Sequence, residues 1–326
     1  AVQVSGDPLD GEVTTLNNQA RAVLRVRGGP EKILYVEGEP RPELPFLRRA
    51  AATDSALQLV TLVRTGRQKH LRLGVDDSLE LVHGFPTERA ELFRYRAIVL
   101  GSIEASYFSA DQLRMLQEFA GVRGGGLLAL GGRRALAEGG YAATPVDEAL
   151  PMVLDIAANG QDARAATTIT VSATAAGSEH PALGSLGAGV SAWSDLPTLT
   201  VVNAAGRLRP GATVLLEGRS TATTLPVLAV QRYGRGHTAL FLPQDAWRWQ
   251  LTDRLPEGDR SLVAFWTRLL RWAVTDVPDP LQFDAEPGIT APGEVVQVRV
   301  RVADSTFTPH DDAQVSVQVV PPDAPA

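Results

Sequence analysis

The chain has 326 residues, 44% hydrophobic and 21% charged, with a net charge of −6 and an isoelectric point near 5.5. This composition suits a folded protein with a large core, and an acidic balance without any basic stripe argues against a nucleic-acid partner. There is no cysteine, which excludes thiolate nucleophiles, disulfides and cysteine metal sites together. No apolar run reaches the roughly 18 residues that would span a bilayer, so no transmembrane segment is expected here.

The opening residues Ala1-Val2-Gln3-Val4-Ser5 read as the middle of a strand with no signal peptide before them, as expected for a piece of a longer polypeptide. Gln19 to Arg27 alternates: Ala20, Ala22, Leu24 and Val26 share one face and Arg21, Arg25 and Arg27 the other. Residues 1–29 are therefore read as terminal strands of a β domain, with Gly28-Gly29-Pro30 as a hinge.

From Ile33 the pattern changes. Ile33-Leu34-Tyr35-Val36 is a short apolar strand, and a helix opened by Pro42-Glu43 carries Leu44, Leu47, Ala50 and Ala51. Leu57 to Val63 is a second strand, Thr87 is placed to cap a short helix through Leu92, and Ala97 to Gly101 is a third strand. Ser109 caps the next helix, with Gln112 three residues on completing a capping box, and Leu113, Leu116, Phe119 and Ala120 facing inward. Leu127 to Leu130 is the fourth strand and ends in Gly131-Gly132-Arg133-Arg134. Continuous apolar strands alternating with helices predict a mainly parallel sheet covered on both faces.

Further on, Thr167 to Ala173, Thr198 to Val202 and Thr213 to Glu217 are expected strands. Leu225 to Arg232 and His237 to Leu242 flank the hairpin turn Tyr233-Gly234-Arg235-Gly236. Leu262 to Val274 is the clearest amphipathic helix, with Leu262, Phe265, Trp266, Leu269 and Ala273 on one stripe. After Pro278-Asp279-Pro280 the chain turns β again. Val296, Val298, Val300 and Val302 alternate with polar residues and Val315, Val317 and Val319 repeat the pattern, as in the opening strands of an immunoglobulin-like domain over 278–326.

Several stretches together resemble a known family: Ile33-Leu34-Tyr35-Val36-Glu37-Gly38, Gly124-Gly125-Gly126-Leu127-Leu128, Glu138-Gly139-Gly140-Tyr141, His180-Pro181, and Pro226 to Gly236. Over roughly residues 30–277 the chain resembles the glutamine amidotransferase-like domain of large bacterial membrane-anchored proteins that carry von Willebrand-type or immunoglobulin-like modules. The resemblance implies a flavodoxin-like three-layer α/β sandwich in an extracytoplasmic setting, periplasmic or cell-surface. Class I amidotransferases carry a cysteine on the turn after the strand matching Leu127–Leu130; glycine stands there instead, at Gly131 or Gly132, and no late His-x-Glu follows. The family's catalytic residues therefore do not carry over, and no catalytic residue is assigned.

The carboxyl ends of parallel strands gather the ligand-contacting loops of such a sheet. They bring together Glu37, Ser102, Glu104, Gly132, Arg133, Glu138 and Tyr141 as a candidate ligand-binding rim, although polar loops also arise simply because they are solvated. Arg133 is the natural clamp for a carboxylate or phosphate. The glycine pairs Gly131-Gly132 and Gly139-Gly140 lack a Walker Lys-Ser/Thr and read as tight turns. His70, His83, His180, His237 and His310 are scattered, so neither a metal site nor a cofactor is expected. Asp245, Trp247 and Trp249 are placed either as a sugar or peptide platform or as cover for a core edge. Ser102 and Ser106 lack a G-x-S-x-G context. The sequence thus points to a non-catalytic, structural or ligand-binding module. A hydrolase using rim carboxylates and a sugar-binding module stand as alternatives, with a small molecule, a protein or other domains of its own chain as partner.

Overall fold

A computed structural model describes residues 2–5, 19–22, 29–67, 69–158, 166–184, 193–252, 258–285, 295 and 297–317. Ala1–Pro30 and Glu31–Ala326 are two compact units. In the first, β1 (Val2–Ser5) and β2 (Gln19–Ala22) form an antiparallel pair. Positions 23–28, and with them the outer half of the expected second strand and the first residue of the hinge, lie outside the described residues.

The second unit is organised by ten strands of one sheet. In chain order its elements are β3 (Glu31–Glu37), α1 (Glu43–Ala52), β4 (Leu57–Gly66), β5 (Lys69–Leu73), α2 (Arg89–Leu92), β6 (Ala97–Leu100), α3 (Ala110–Gly121) and β7 (Gly126–Leu130). Next come α4 (Pro145–Ala149), β8 (Met152–Val153), β9 (Thr167–Ala173), α5 (Ala175–Glu179), β10 (Leu199–Val201), β11 (Arg207–Leu208) and β12 (Thr213–Arg219). The series ends with β13 (Thr224–Tyr233), β14 (Gly236–Phe241), α6 (Ser261–Val274), β15 (Leu281–Ala285) and β16 (Val298–Val302). The sheet order is β10-β9-β12-β13-β14-β7-β6-β3-β4-β5.

Five of these strands, β4-β3-β6-β7-β14, pair in parallel. Counted along the chain this is the order 2-1-3-4-5, the flavodoxin-like arrangement, whose switch point lies between the first and third strands, here β3 and β6. Those strands are continuous apolar runs, and Ile33, Leu34, Val36, Ile98, Val99 and Leu128 are all fully buried. β5 adds antiparallel at one edge, and β13, β12, β9 and β10 add antiparallel at the other. The expectation of a mainly parallel sheet is corrected accordingly: β4–β5 and β13–β14 are joined by turns of a few residues, and so short a connection permits only antiparallel pairing.

The helices form where their apolar spacing requires. α1 packs against α6, and α3 against α2 and α4, so that β7 is flanked by both α3 and α6. The α3 capping box is present, with Ser109 and Gln112 each satisfying the other's backbone N–H. On α6, Leu262, Phe265, Trp266, Leu269 and Ala273 are buried as the stripe predicts. Thr87 is not the cap of α2: that helix starts after Glu88 without a side-chain cap. Among the described residues no helix is long and apolar enough to cross a membrane. At the C-terminal end β15 and β16 pair antiparallel, while positions 313–317 hold no strand, so Val315 and Val317 are not the ladder expected; Val296 and Val319 lie outside the described residues.

Candidate functional site

The switch point places the end of β3 against the end of β6. Glu37 closes β3 and is fully buried. It accepts hydrogen bonds from Tyr35 Oη and from Ser102 N at 2.7 Å, so its two oxygens are held by its own strand and by the β6 loop. A Cβ on Gly101 would lie 2.2 Å from Glu37 Oε2, so glycine is what lets the carboxylate sit there. Arg41, between Pro40 and Pro42, points its guanidinium back at this group: Nε is 3.9 Å from Glu37 and 3.4 Å from Glu43. Burial pushes Glu37 up to about 7, against the opposing pull of Arg41, Tyr35 and two backbone N–H groups. Burial raises Glu43 as well, outweighing Arg41. Arg41 Nη1 and Glu43 Oε1 are buried with no hydrogen-bond partner.

Ser102 links this cluster to the next loop. Its hydroxyl donates to Glu39 at 2.7 Å and accepts from Arg134 N at 3.1 Å. The turn after β7 is built around Asn203, whose side-chain oxygen accepts from Gly132 N at 2.8 Å while its amide donates to Gly132 O at 3.0 Å and to Glu138 at 2.8 Å. Glu138 also accepts from Ala204 N at 2.9 Å. A Cβ at Gly131 would stand 1.8 Å from the carbonyl oxygen of Leu242, and one at Gly132 would stand 3.0 Å from Ser102 Cβ and Oγ. Neither glycine is in the left-handed region, so the sharp strained turn that presents a nucleophile is absent from this strand end.

Toward solvent the charges change character. Arg64 donates to Glu104 at 2.8 Å, and Arg134 approaches Glu104 at 3.6 Å and Glu39 at 3.8 Å. Burial would raise Glu104, but these arginines hold its carboxyl below the usual carboxylate range. Tyr107 Oη lies 2.8 Å from His70 Nε2, and Arg64 stacks over the Tyr107 ring.

The seven rim residues expected from the sequence thus separate. Glu37, Ser102, Gly132, Glu138 and Tyr141 are buried, because the loops meet over the strand ends and use these groups to hold one another. Burial, with the Glu104 charge adding to it, holds the Tyr141 hydroxyl far above its ordinary value, and that hydroxyl has no hydrogen-bond partner. Glu104 is half-buried and Arg133 is exposed. The seven do not share one exposure: an arc of exposed Arg133 and Arg134 with half-buried Arg64 and Glu104 stands beside the buried five. Sequence reasoning missed Arg41, Glu43 and Asn203. The rigid Pro40-Arg41-Pro42 was a visible signal for the first; nothing local marks Asn203.

Of the two readings of the tryptophans, cover for a core edge is the one that describes Trp249. Trp249 is buried in a cluster with Trp193 and Phe265, its indole N–H donating to Pro197 O at 3.0 Å, and Trp247 is half-buried. Asp245 is occupied by Thr200 N at 2.7 Å and Arg248 at 3.3 Å. Among the described residues no group of three or more histidine, aspartate or glutamate side chains is arranged to hold a metal ion.

Comparison with known proteins agrees with this architecture. Two solved structures share the fold: cytoplasmic protein STM1381 from Salmonella typhimurium LT2 (18% identity, TM-score 0.53, 74% of this chain and 99% of that one) and cytoplasmic protein STM3548 from Salmonella typhimurium (19%, 0.50, 76% and 98%). A protein of Bacteroides uniformis titled as a putative ThuA-like protein also matches, at 12% identity and TM-score 0.46 over 79% of this chain and 97% of that one. No curated protein matches the chain. A family model described as "Putative glutamine amidotransferase" matches residues 59–275, which include Ser102, Gly132 and Asn203 and leave out Glu37 and Arg41. With about two thirds of its length inside that match, the chain belongs to the glutamine amidotransferase-like family.

Proposed function

We propose that this chain is a non-catalytic amidotransferase-like module, one that binds an anionic ligand or partner group at its exposed arginine arc instead of hydrolysing an amide. One observation carries the reading. At the strand end where the family's nucleophile stands, Gly131 has no room for any side chain, and Gly132 is tied front and back to Asn203. Covalent amide hydrolysis needs a nucleophile activated by a neighbouring base, and neither can be placed on this turn.

A carboxylate-based hydrolase is the second reading, and Glu37, held near 7, is what favours it. A general base must reach a substrate proton. Glu37 is fully buried and both its oxygens already accept hydrogen bonds, so its geometry suits a latch between β3 and β6. The immunoglobulin-like character of the terminal β segments, and placement in an extracytoplasmic, membrane-anchored polypeptide, are parts of the same proposal. They rest on the family resemblance, and a protein found only in the cytoplasm of its host would remove the latter.

Arg133 is exposed and has no hydrogen-bond or ion-pair partner among the described residues. A carboxylate or phosphate ligand would gain a bidentate contact there. Screening dicarboxylates, acidic dipeptides and sugar phosphates by thermal shift, on the native chain and on Arg133→Ala, tests this. The expected result is a ligand whose affinity falls about tenfold or more in the variant. A ligand stabilising both proteins equally would overturn the assignment of the arc.

A further inference from the structure

The pole of the sheet opposite the rim, where the parallel strands begin, holds a second cluster of buried arginines. Arg96 precedes β6 and is paired with Glu31, the first residue of β3. The same guanidinium donates to Val277 O at 3.0 Å and Pro278 O at 2.8 Å, and pairs with Asp279 at 2.8 Å. Arg123, just before β7, donates through Nε to Phe93 O at 3.1 Å and Tyr95 O at 3.2 Å, and through Nη1 to Pro278 O at 2.8 Å. Pro278 covers Gly124, where a Cβ would come within 2.8 Å of the proline ring. One side chain therefore ties the point where the chain enters the α/β domain to the point where it leaves.

The segment after Pro278 returns to this pole. Phe307 is 4% exposed although it belongs to a loop beyond β16. Its ring packs edge-on against Phe93 at 6.2 Å, and the Arg123 guanidinium lies 4.1 Å from its centroid. Its φ of 61° is costly for a bulky non-glycine residue, and such a conformation persists only where surrounding structure enforces it. Asp304 does so: its Oδ1 accepts from Thr306 N at 2.8 Å, Thr306 Oγ1 at 2.7 Å and Thr308 N at 3.0 Å. The loop is thus pre-shaped to present one aromatic side chain to a socket with a cationic wall, the pattern of an interface anchor.

We propose that Phe307 is the anchor by which the β segment following Pro278 docks on the α/β domain, in a socket walled by Phe93 and Arg123. The joint makes the orientation of that segment fixed rather than linker-governed, and places it at the pole away from the arginine arc, which leaves the arc free for a partner. This inference does not depend on how the arc is read.

Amide hydrogen exchange on the full chain, with Phe307→Ala and Asp304→Ala, tests it. Protection of Leu281–Ala285 and Val298–Val302 should fall at least tenfold in Phe307→Ala and by a smaller factor in Asp304→Ala, with β3, β6 and β7 unchanged. Unchanged exchange of β15 and β16 in both variants would overturn the proposal. So would an equal loss across the whole sheet in both variants, which would make Phe307 an ordinary core residue of one cooperative unit.

Discussion

The two poles of the parallel core bury arginine for different ends. At the rim, Arg41 is set among carboxylates, with Glu37 and Glu43 within 4 Å, and keeps one N–H unpartnered. At the opposite pole Arg96 and Arg123 are spent mainly on backbone carbonyls of the exit segment and leave no orphaned nitrogen. A buried charge is costly unless its partners are complete, and an incomplete set marks a place where stability is not the only demand. The rim has the inherited position of a site but the packing of a latch, whereas the far pole is a finished joint.

The sharpest way to break this comparison is at the turn after β7. Gly131→Ala pushes a methyl group into the Leu242 carbonyl and is expected to cost about 3 kcal/mol or more, while Gly132→Ala, against a side chain that can shift, should cost about 1 kcal/mol. Urea unfolding midpoints of the two variants measure the difference. Equal costs would mean that the turn is not built around Gly131.

The Glu37 latch gives a pH dependence of defined sign. Its folded value, about 7, lies above the ordinary 4.5, so the folded chain binds this proton more tightly than the unfolded chain does. The Glu37 contribution is therefore retained below about pH 5 and lost as pH rises through 7, by about 3 kcal/mol at most. Glu37→Gln should flatten the slope of stability between pH 5 and 8, as read by denaturation at fixed ionic strength. A variant with the native slope would remove Glu37 from the account.

At the other pole Arg96→Ala removes the donor to Val277 O, one of the two donors to Pro278 O and the guanidinium beside the half-buried Glu31, an expected loss of about 2 kcal/mol in the unfolding free energy. The smallest effect belongs to Arg133→Ala, within about 0.5 kcal/mol of the native chain, since the exposed side chain supports nothing in the fold. A large loss there would show that the arc is structural after all.

How much of this was legible in the sequence follows the same division. Buried parallel strands announce themselves as apolar runs, so β3, β6 and β7 were readable, and the Ser109–Gln112 box and the stripe of α6 fixed two helices. The antiparallel flank was half readable: the Tyr233–Gly236 turn marked β13 and β14, but β5, with Lys69 and Arg72, has no apolar run to reveal it. The rim residues were located by topology, not by their state. Nothing in the spacing of Glu37, Arg41 and Asn203 shows that loops far apart in sequence close over one another and bury them. Phe307 was invisible for the same reason: its socket is made by Phe93 and Arg123, far earlier in the chain.

The central claim, that this strand end is built without catalysis, is tested most directly by ammonia release from glutamine and a panel of simple amides, using the native chain beside a heat-denatured control. The account predicts no release above the control at any pH from 5 to 9. Turnover by the native chain that disappears in Glu37→Gln or Ser102→Ala would contradict it.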